Sequence, residues 1–263
     1  MKTYDEQREH FLSRWPEIRA ALEAGGVEAG IDVIRATEDE LERRVLFLFA
    51  RQGVLQTEWE GRTLDAGVAF ADAAIETFLA EADAAGDADP ETRDRRIDTA
   101  NVLSYNLAAD LAPCWDDPFP RERRHFERGL RAAEDCLRWR EQLGKPPFPF
   151  ATAHWARGIH LFALGDRDDE ALAEFERSLE RARESAALSG EPTSLEDGGE
   201  MVVLAEGWVA LAKALAGDTA ARDRYESILT RYRADLESDD DERRDDAKMA
   251  IDQLERARAM REG

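Results

Sequence analysis

Residues 151–185 read ATAHWARGIHLFALGDRDDEALAEFERSLERARES, and this stretch decides the fold of the chain. Core-type residues recur at helical spacing in both halves, in the first Trp155, Gly158, Ile159 and Phe162 and in the second Ala171, Phe175, Ser178 and Leu179. Gly165 and Asp166 interrupt the pattern between the two runs. The stretch therefore predicts two helices joined by a short turn.

The order of residue types in this stretch resembles one unit of the tetratricopeptide family. Residues 152–185 carry an aromatic, a small residue and an aromatic on helix A, then Ala, an aromatic and a small residue on helix B. The resemblance implies stacked antiparallel helical hairpins that form a tetratricopeptide-like α-solenoid, in which the A helices line a concave groove. Such a fold hosts many functions, so the resemblance indicates an architecture and no specific activity.

Related hairpins recur along the chain at intervals longer than the roughly 34 residues of the family. The helix-B aromatics Phe70, Phe126, Phe175 and Tyr225 lie 56, 49 and 50 residues apart. Three of the four have a small residue three positions later, which would let neighbouring helices approach closely. The unit at 152–185 is thus the best preserved, and the others are degenerate and longer. An irregular helical bundle is the alternative architecture.

Helical patterns extend along the chain and strand patterns are absent, so we expect one all-α repeat domain over residues 1–263. Residues 1–36 are expected to form N-terminal helices. Residues 243–260 are expected to form a C-terminal capping helix with one apolar and one charged side, since repeat arrays need a polar end for solubility.

Local signals predict where several helices begin and end. The Thr-x-x-Glu pairs at 37–40 and 193–196 are capping boxes that indicate helix starts. Pro16 predicts a kink or a fresh start near Ser13 in the first helix, because proline has no N–H to donate. The segment KPPFP at 145–149 is expected to be a loop.

The composition is strongly acidic, with 36 Lys and Arg against 58 Asp and Glu and a formal net charge of -22. Phosphates would be repelled over most of the surface, so we expect no nucleic-acid partner and no anionic membrane partner. Nearly all basic residues are Arg. An acidic, lysine-poor composition resembles that of proteins from salt-loving microbes, in which dense carboxylates keep the surface hydrated. The alternative is a GC-rich genome that favours Arg codons.

Three features indicate a cytoplasmic protein. The N-terminal MKTYDEQREH lacks the apolar region of a signal peptide, and the apolar run 45–50 is too short to cross a membrane. Cys114 and Cys136 have no metal-ligand spacing and are consistent with a reducing interior.

Motifs of common enzyme classes are missing. The chain has no glycine-rich phosphate loop, no Gly-x-Ser-x-Gly elbow and no Cys-x-x-Cys pair. Glu-x-x-His occurs once, at Glu122 and His125, whereas a di-iron bundle site needs two such pairs. We therefore expect a non-catalytic protein with no catalytic residues, no cofactor and no metal.

Six residues form the candidate partner-binding groove: Asn101, Tyr105, Asn106, His154, Trp155 and Arg157. Both asparagines of the chain lie on the predicted A helix of the second hairpin, where an amide can donate to and accept from the main chain of a ligand. Tyr105 shares the face of Asn101, and Asn106 lies at its edge. Arg157 can bind carboxylates. The alternative is one asparagine in a buried local bond and the other exposed.

Trp115 lies in the proline-rich loop 113–121 together with Phe119. We expect it to fold back onto the helices. The alternative is an exposed anchor for a partner.

These patterns favour a non-catalytic protein–protein interaction scaffold or adaptor that binds a peptide or protein segment in a concave groove. The acidic surface would favour a basic partner. The alternative is an all-α small-molecule sensor or enzyme with a pocket between helices near Asn101, Tyr105, His154 and Trp155. A third hypothesis is a homodimer formed through an uncovered apolar repeat face. An open groove would support the first hypothesis and a closed pocket the second.

Salt adaptation predicts a melting temperature that climbs markedly between low salt and molar KCl, because counterions screen the repulsion between carboxylates. Thermal denaturation at both salt concentrations measures this change. An unchanged melting temperature would contradict salt adaptation.

Overall fold

The computed structural model describes residues 3–262 of the chain. These residues contain ten α-helices and no β-strand, which confirms the all-α prediction. The contacts divide the chain into two compact units, Met1–Leu107 and Ala108–Gly263, here called unit 1 and unit 2. The expectation of one repeat domain over 1–263 stays a prediction.

Unit 1 consists of helices that are joined by short turns. They are α1 (Tyr4–Arg35), α2 (Glu40–Arg51) with a π-turn (Gln52–Gln56), α3 (Leu64–Ala85) with a 3₁₀ turn (Gly86–Ala88), and α4 (Pro90–Leu111) up to Leu107. The first three helices pack against one another. Phe11 and Ile18 of α1 are fully buried, and Phe47 of α2 contacts Phe78 of α3 edge-on at 6.1 Å. These aromatic contacts form the core of the unit.

The first helix does not break at Pro16. The backbone keeps helical geometry through this residue and leaves it only at Gly26, where φ is 77°. The predicted fresh start near Ser13 is therefore wrong, because the missing proline N–H costs one bond while the surrounding face remains buried. Glycine tolerates the positive φ that separates the two parts of α1.

The capping box at 37–40 is also wrong. Helix α2 begins at Glu40, and the side chain of Asp39 caps it by accepting the N–H of Glu42 at 2.7 Å. The hydroxyl of Thr37 instead donates to the carbonyl of Val33 at 3.4 Å. Asp39 takes the capping position because its carboxylate also interacts favourably with the positive end of the helix dipole.

Unit 2 continues from the last turn of α4 through six further helices. They are α5 (Arg123–Gln142), α6 (Pro147–Leu164), α7 (Asp168–Ser189), α8 (Glu200–Leu215), α9 (Thr219–Asp235) and α10 (Asp241–Glu262). Each of these helices packs against the next one along the chain, and α10 also contacts α8 and α6. Helix α10, which corresponds to the predicted helix 243–260, buries Ala247, Leu254 and Ala257. Consecutive helices thus share one core.

The predicted hairpin at 151–185 corresponds to α6 and α7. Gly165 ends α6 with a left-handed φ of 75°, which glycine adopts without steric cost. Helix α6 begins earlier than expected, at Pro147, so the predicted loop 145–149 is wrong in its second half. Proline is well tolerated in the first turn of a helix because its missing N–H would have no partner there.

Glycines let the helices of unit 2 approach closely. A Cβ atom on Gly158 of α6 would lie 2.7 Å from the ring of Phe175 on α7. The same ring stacks on Trp208 of α8 at 5.4 Å with an angle of 22° between the planes. Ser178, three residues after Phe175, donates its hydroxyl to the carbonyl of Ala151 at 2.8 Å. The ring of Phe175 on α7 therefore contacts both neighbouring helices, α6 and α8.

The capping box at 193–196 does not start a helix. Helix α8 begins at Glu200 with Gly199 in the capping position. The preceding residues form a turn, in which Gly198 donates its N–H to the carbonyl of Ser194 at 2.8 Å. Two consecutive glycines disfavour helix, so the chain turns here before α8 begins.

Both cysteines are free and buried. Burial raises the pKa of Cys114 to about 12 and that of Cys136 to about 11, so both remain thiols at neutral pH. Along residues 3–262, no helix combines the length and hydrophobicity that a bilayer crossing requires.

Candidate functional site

The six residues of the predicted groove divide between the two units. Asn101, Tyr105 and Asn106 lie on α4 in unit 1, whereas His154, Trp155 and Arg157 lie on α6 in unit 2. Asn101 is only 3% exposed, and its amide donates to Asp98 at 3.2 Å. Tyr105 and Asn106 are half-buried. The groove formed by all six residues stays a prediction.

In unit 2, His154 and Arg157 both bind the carboxylate of Glu174, which is 1% exposed. Nδ1 of His154 donates to Oε2 of Glu174 at 2.7 Å, and Arg157 and Arg177 both donate to Oε1. Arg157 also donates from Nε to Glu134 at 3.2 Å. The network joins α5, α6 and α7.

The charge of Glu174 is satisfied within the protein. Burial alone would raise its pKa, but the hydrogen bond from His154 and the positive charges of Arg157 and Arg177 lower the pKa below its usual value. Glu174 is therefore ionised at neutral pH. His154 donates to this carboxylate, and Arg157 donates both to it and to Glu134. These bonds indicate that both residues hold the helices together.

Trp155 lies in an aromatic cluster. Its ring is 6.3 Å from that of Trp115, and also 6.3 Å from that of Trp208. Nε1 of Trp115 donates to the carbonyl of Ala109 at 2.5 Å. Trp115 thus folds back onto the helices, as the sequence predicted.

Glu122 and His125 cap a helix. The N–H of Glu122 donates to Nδ1 of His125 at 3.0 Å at the start of α5, and His125 is buried. Within residues 3–262, no group of three or more His, Cys, Asp or Glu side chains is arranged to hold a metal ion. The described side chains therefore offer no metal site from which a function could be argued.

A different part of unit 2 forms an open cleft of about 490 Å³ at the amino end of α8, here called the acidic cleft. Seven carboxylate side chains line it: Glu196, Asp197, Glu200, Asp235, Asp240, Glu242 and Asp246. Two guanidinium groups, Arg231 and Arg243, also line it. The cleft thus has a surplus of negative charge.

Both arginines of the acidic cleft bind other residues of the protein. Arg231 of α9 donates to the carbonyls of Leu195 and Gly198, the latter at 2.8 Å, and so fixes the turn before α8. Arg243 of α10 donates to Asp235 at the end of α9. Asp235 therefore has a partner, and Asp240 accepts the N–H of Glu242 at 3.0 Å. The cleft still has more carboxylates than cationic groups.

Glu200, the first residue of α8, is the most unusual group in the cleft. Its Oε1 atom is buried. The fully buried hydroxyl of Tyr232 faces this carboxyl group and lowers its pKa through a hydrogen-bond interaction. A cation bound in the cleft would add a second favourable interaction with the ionised form of Glu200.

The pKa of Glu200 is raised to about 7. Burial is the main cause. Tyr232 and Arg231 oppose this effect, and the negative charges of Asp246 and Asp235 reinforce it. Glu200 is therefore partly protonated at neutral pH, and an approaching cation would favour its charged form.

Sequence reasoning did not find the acidic cleft. The run LESDDDERRDD at 236–246 was the only local signal, because it is the most charged stretch of the chain. Its approach to residues 196–200 depends on the packing of α8, α9 and α10, which no local pattern reveals.

Replacing Glu200 with Gln should stabilise the protein at high pH and not at low pH. The folded pKa of about 7 exceeds the ordinary value of 4.5, so the native state binds the proton more tightly and wild-type stability falls as pH rises between these values. The advantage of the Glu200→Gln variant in unfolding free energy should grow by up to about 3 kcal/mol across this window. Urea denaturation at several pH values measures it.

Glu237→Gln is the matched control, because Glu237 is an exposed carboxylate near the end of α9. This variant removes one exposed carboxylate and leaves Glu200 unchanged. The interpretation of Glu200 would be wrong if both variants showed the same pH profile.

No family model, no curated protein and no solved structure matches the chain. Its function is therefore inferred from the acidic cleft.

Proposed function

We propose that this chain is a non-catalytic protein-interaction module that binds a basic segment of a partner protein in the acidic cleft. The observation that carries the proposal is the set of seven carboxylates that line the cleft, among them Glu200 with its buried Oε1 atom. The proposal keeps the interaction role and the basic partner that the composition favours. It moves the binding site from the A helices of the predicted groove to the start of α8.

The negative charge of the cleft favours a cationic ligand. Asp246 is half-buried near Glu200 and has no ion pair or hydrogen bond among the described residues. A cation between these two carboxylates would satisfy both and would lower the pKa of Glu200. Organic cations fit this requirement, since the described residues offer no geometry for a metal.

Arginine is the side chain that the cleft should prefer. Its planar guanidinium presents five donors and can bind a carboxylate with two parallel hydrogen bonds. The interaction with Glu200 is partly shielded from water, so dissolved salt would screen it less than it screens the exposed carboxylates. An Arg-rich segment should therefore bind more tightly than a Lys-rich one of the same charge.

The proposal also includes a helical scaffold, a cytoplasmic location and adaptation to salt. The sequential packing of α5 to α10 supports a tetratricopeptide-like stack of hairpins as the scaffold that displays the cleft. A cytoplasmic location agrees with the reducing setting suggested by two free cysteines. Salt adaptation would explain why so many carboxylates are tolerated on one surface. The net charge of -22 argues against nucleic acid as the partner.

Fluorescence anisotropy with a labelled Arg-rich peptide tests the proposal. The double variant Glu200→Gln/Asp246→Asn should weaken binding at pH 8 by about tenfold or more, since a hydrogen bond to a charged group contributes roughly 1.5–3 kcal/mol. Wild-type affinity should rise between pH 6 and pH 8 as Glu200 ionises. A peptide with Gln in place of Arg should not bind.

The control removes the same amount of charge elsewhere. Glu17→Gln/Glu23→Gln changes two exposed carboxylates of α1 that do not line the cleft, and its affinity should stay within about twofold of wild type because the cleft carboxylates are unchanged. Equal losses in both double variants would show that only the net charge attracts the peptide. That result, or failure of the wild type to bind, would overturn the assignment of the cleft.

A further inference from the structure

A second cavity of unit 2, of about 260 Å³, lies where α8 ends against α9 and α10. Apolar and charged side chains line it together, and the residues that matter here are Leu211, Leu215, Arg222, Tyr225, Arg258 and Glu262. None of these residues lines the acidic cleft. The cavity is therefore a separate feature from the one that carries the proposed function.

Tyr225 contributes a buried donor to this cavity. Its side chain is 2% exposed, and its hydroxyl has no hydrogen-bond partner among residues 3–262. The guanidinium of Arg258 lies over the ring, 5.8 Å from its centre. Burial raises the pKa of Tyr225 to about 12, so the phenol keeps its proton at neutral pH. A buried hydroxyl without a partner is uncommon and favours a ligand that accepts a hydrogen bond.

The charged groups of the cavity favour an anion. Arg222 is exposed and has no ion pair or side-chain hydrogen bond within the described part of the chain. Arg258 donates to Glu262 at 2.9 Å and to Glu226 at 3.3 Å. Two guanidinium groups and one carboxylate thus line the cavity, which gives it a positive balance on a protein of net charge -22.

We propose that this cavity binds an aliphatic carboxylate. The carboxylate would accept hydrogen bonds from Arg222 and from the hydroxyl of Tyr225, and the hydrocarbon part would pack on Leu211 and Leu215. The same chemistry occurs in a small free acid and in the C-terminal residue of a peptide with an aliphatic side chain. Binding of either one would supply the acceptor that the Tyr225 hydroxyl lacks.

Replacing Glu262 tests most directly whether the ligand is an anion or a cation. Glu262 pairs with Arg258 at 2.9 Å, so its removal would leave that guanidinium with only the 3.3 Å bond to Glu226 and would remove the one carboxylate that lines the cavity. The Glu262→Gln variant should therefore bind a carboxylate several-fold more tightly than wild type does. An ammonium ligand would respond in the opposite direction.

Isothermal titration calorimetry compares four ligands: hexanoate, hexylammonium, an acetylated dipeptide ending in Leu with a free C-terminus, and the same dipeptide with an amidated C-terminus. Hexanoate or the free-acid peptide should bind, and the tighter of the two identifies the source. The Arg222→Gln and Tyr225→Phe variants should each weaken binding by about tenfold. Arg19→Gln, an exposed arginine of α1, should have no effect.

Tyr225→Phe removes only a hydroxyl that has no hydrogen-bond partner among the described residues, so its melting temperature should equal or exceed that of wild type. A loss of affinity in this variant therefore reports on the ligand contact and not on folding. The proposal is overturned if neither carboxylate binds, if both site variants bind as wild type does, or if hexylammonium binds and hexanoate does not.

Discussion

The packing of unit 2 depends on the contact between the backbone at Gly158 and the ring of Phe175. A side chain at position 158 would place its Cβ atom 2.7 Å from the ring, which is closer than nonbonded carbons approach. Only glycine therefore lets α6 and α7 lie this close together. The same ring also stacks on Trp208 in the middle of α8. A close contact in one hairpin thus also influences the packing of the next helix.

Two other glycines of unit 2 make similarly close contacts with a side chain of another helix. A Cβ atom on Gly129 of α5 would overlap the ring of His160, and one on Gly207 of α8 would lie 2.9 Å from Leu254 of α10. His160 is fully buried and donates from Nε2 to the carbonyl of Ala108 at 2.8 Å, and burial lowers its pKa to about 4. The contact between Gly207 and Leu254 joins α8 and α10, two of the three helices whose ends form the acidic cleft. The cleft is therefore a product of core packing, although its charges lie at the surface.

The limits of sequence reasoning follow from this arrangement. The helices and the turn at Gly165 could be predicted because periodicity and glycine conformation are local properties. The cleft could not, because its carboxylates come from 196–200 and 235–246 and meet only after three helices have packed. The burial of Glu174 could not be predicted either, since nothing in the surrounding sequence distinguishes a buried glutamate from an exposed one. Scarcity of asparagine directed attention to Asn101, whose burial is a packing property that its rarity does not reveal.

A double-mutant cycle at Gly158 and Phe175 tests most directly whether the close glycine contact determines the packing of unit 2. Gly158→Ala, Phe175→Leu and the double variant would be unfolded in urea and followed by tryptophan fluorescence, with Gly67→Ala of α3 as control, since its Cβ would meet only the flexible side chain of Leu55. We predict that Gly158→Ala costs about 1–3 kcal/mol in the wild type and much less in the Phe175→Leu background, whereas the control is nearly neutral. Additive costs within about 0.5 kcal/mol would contradict the account, because they would show that the glycine and the ring act independently.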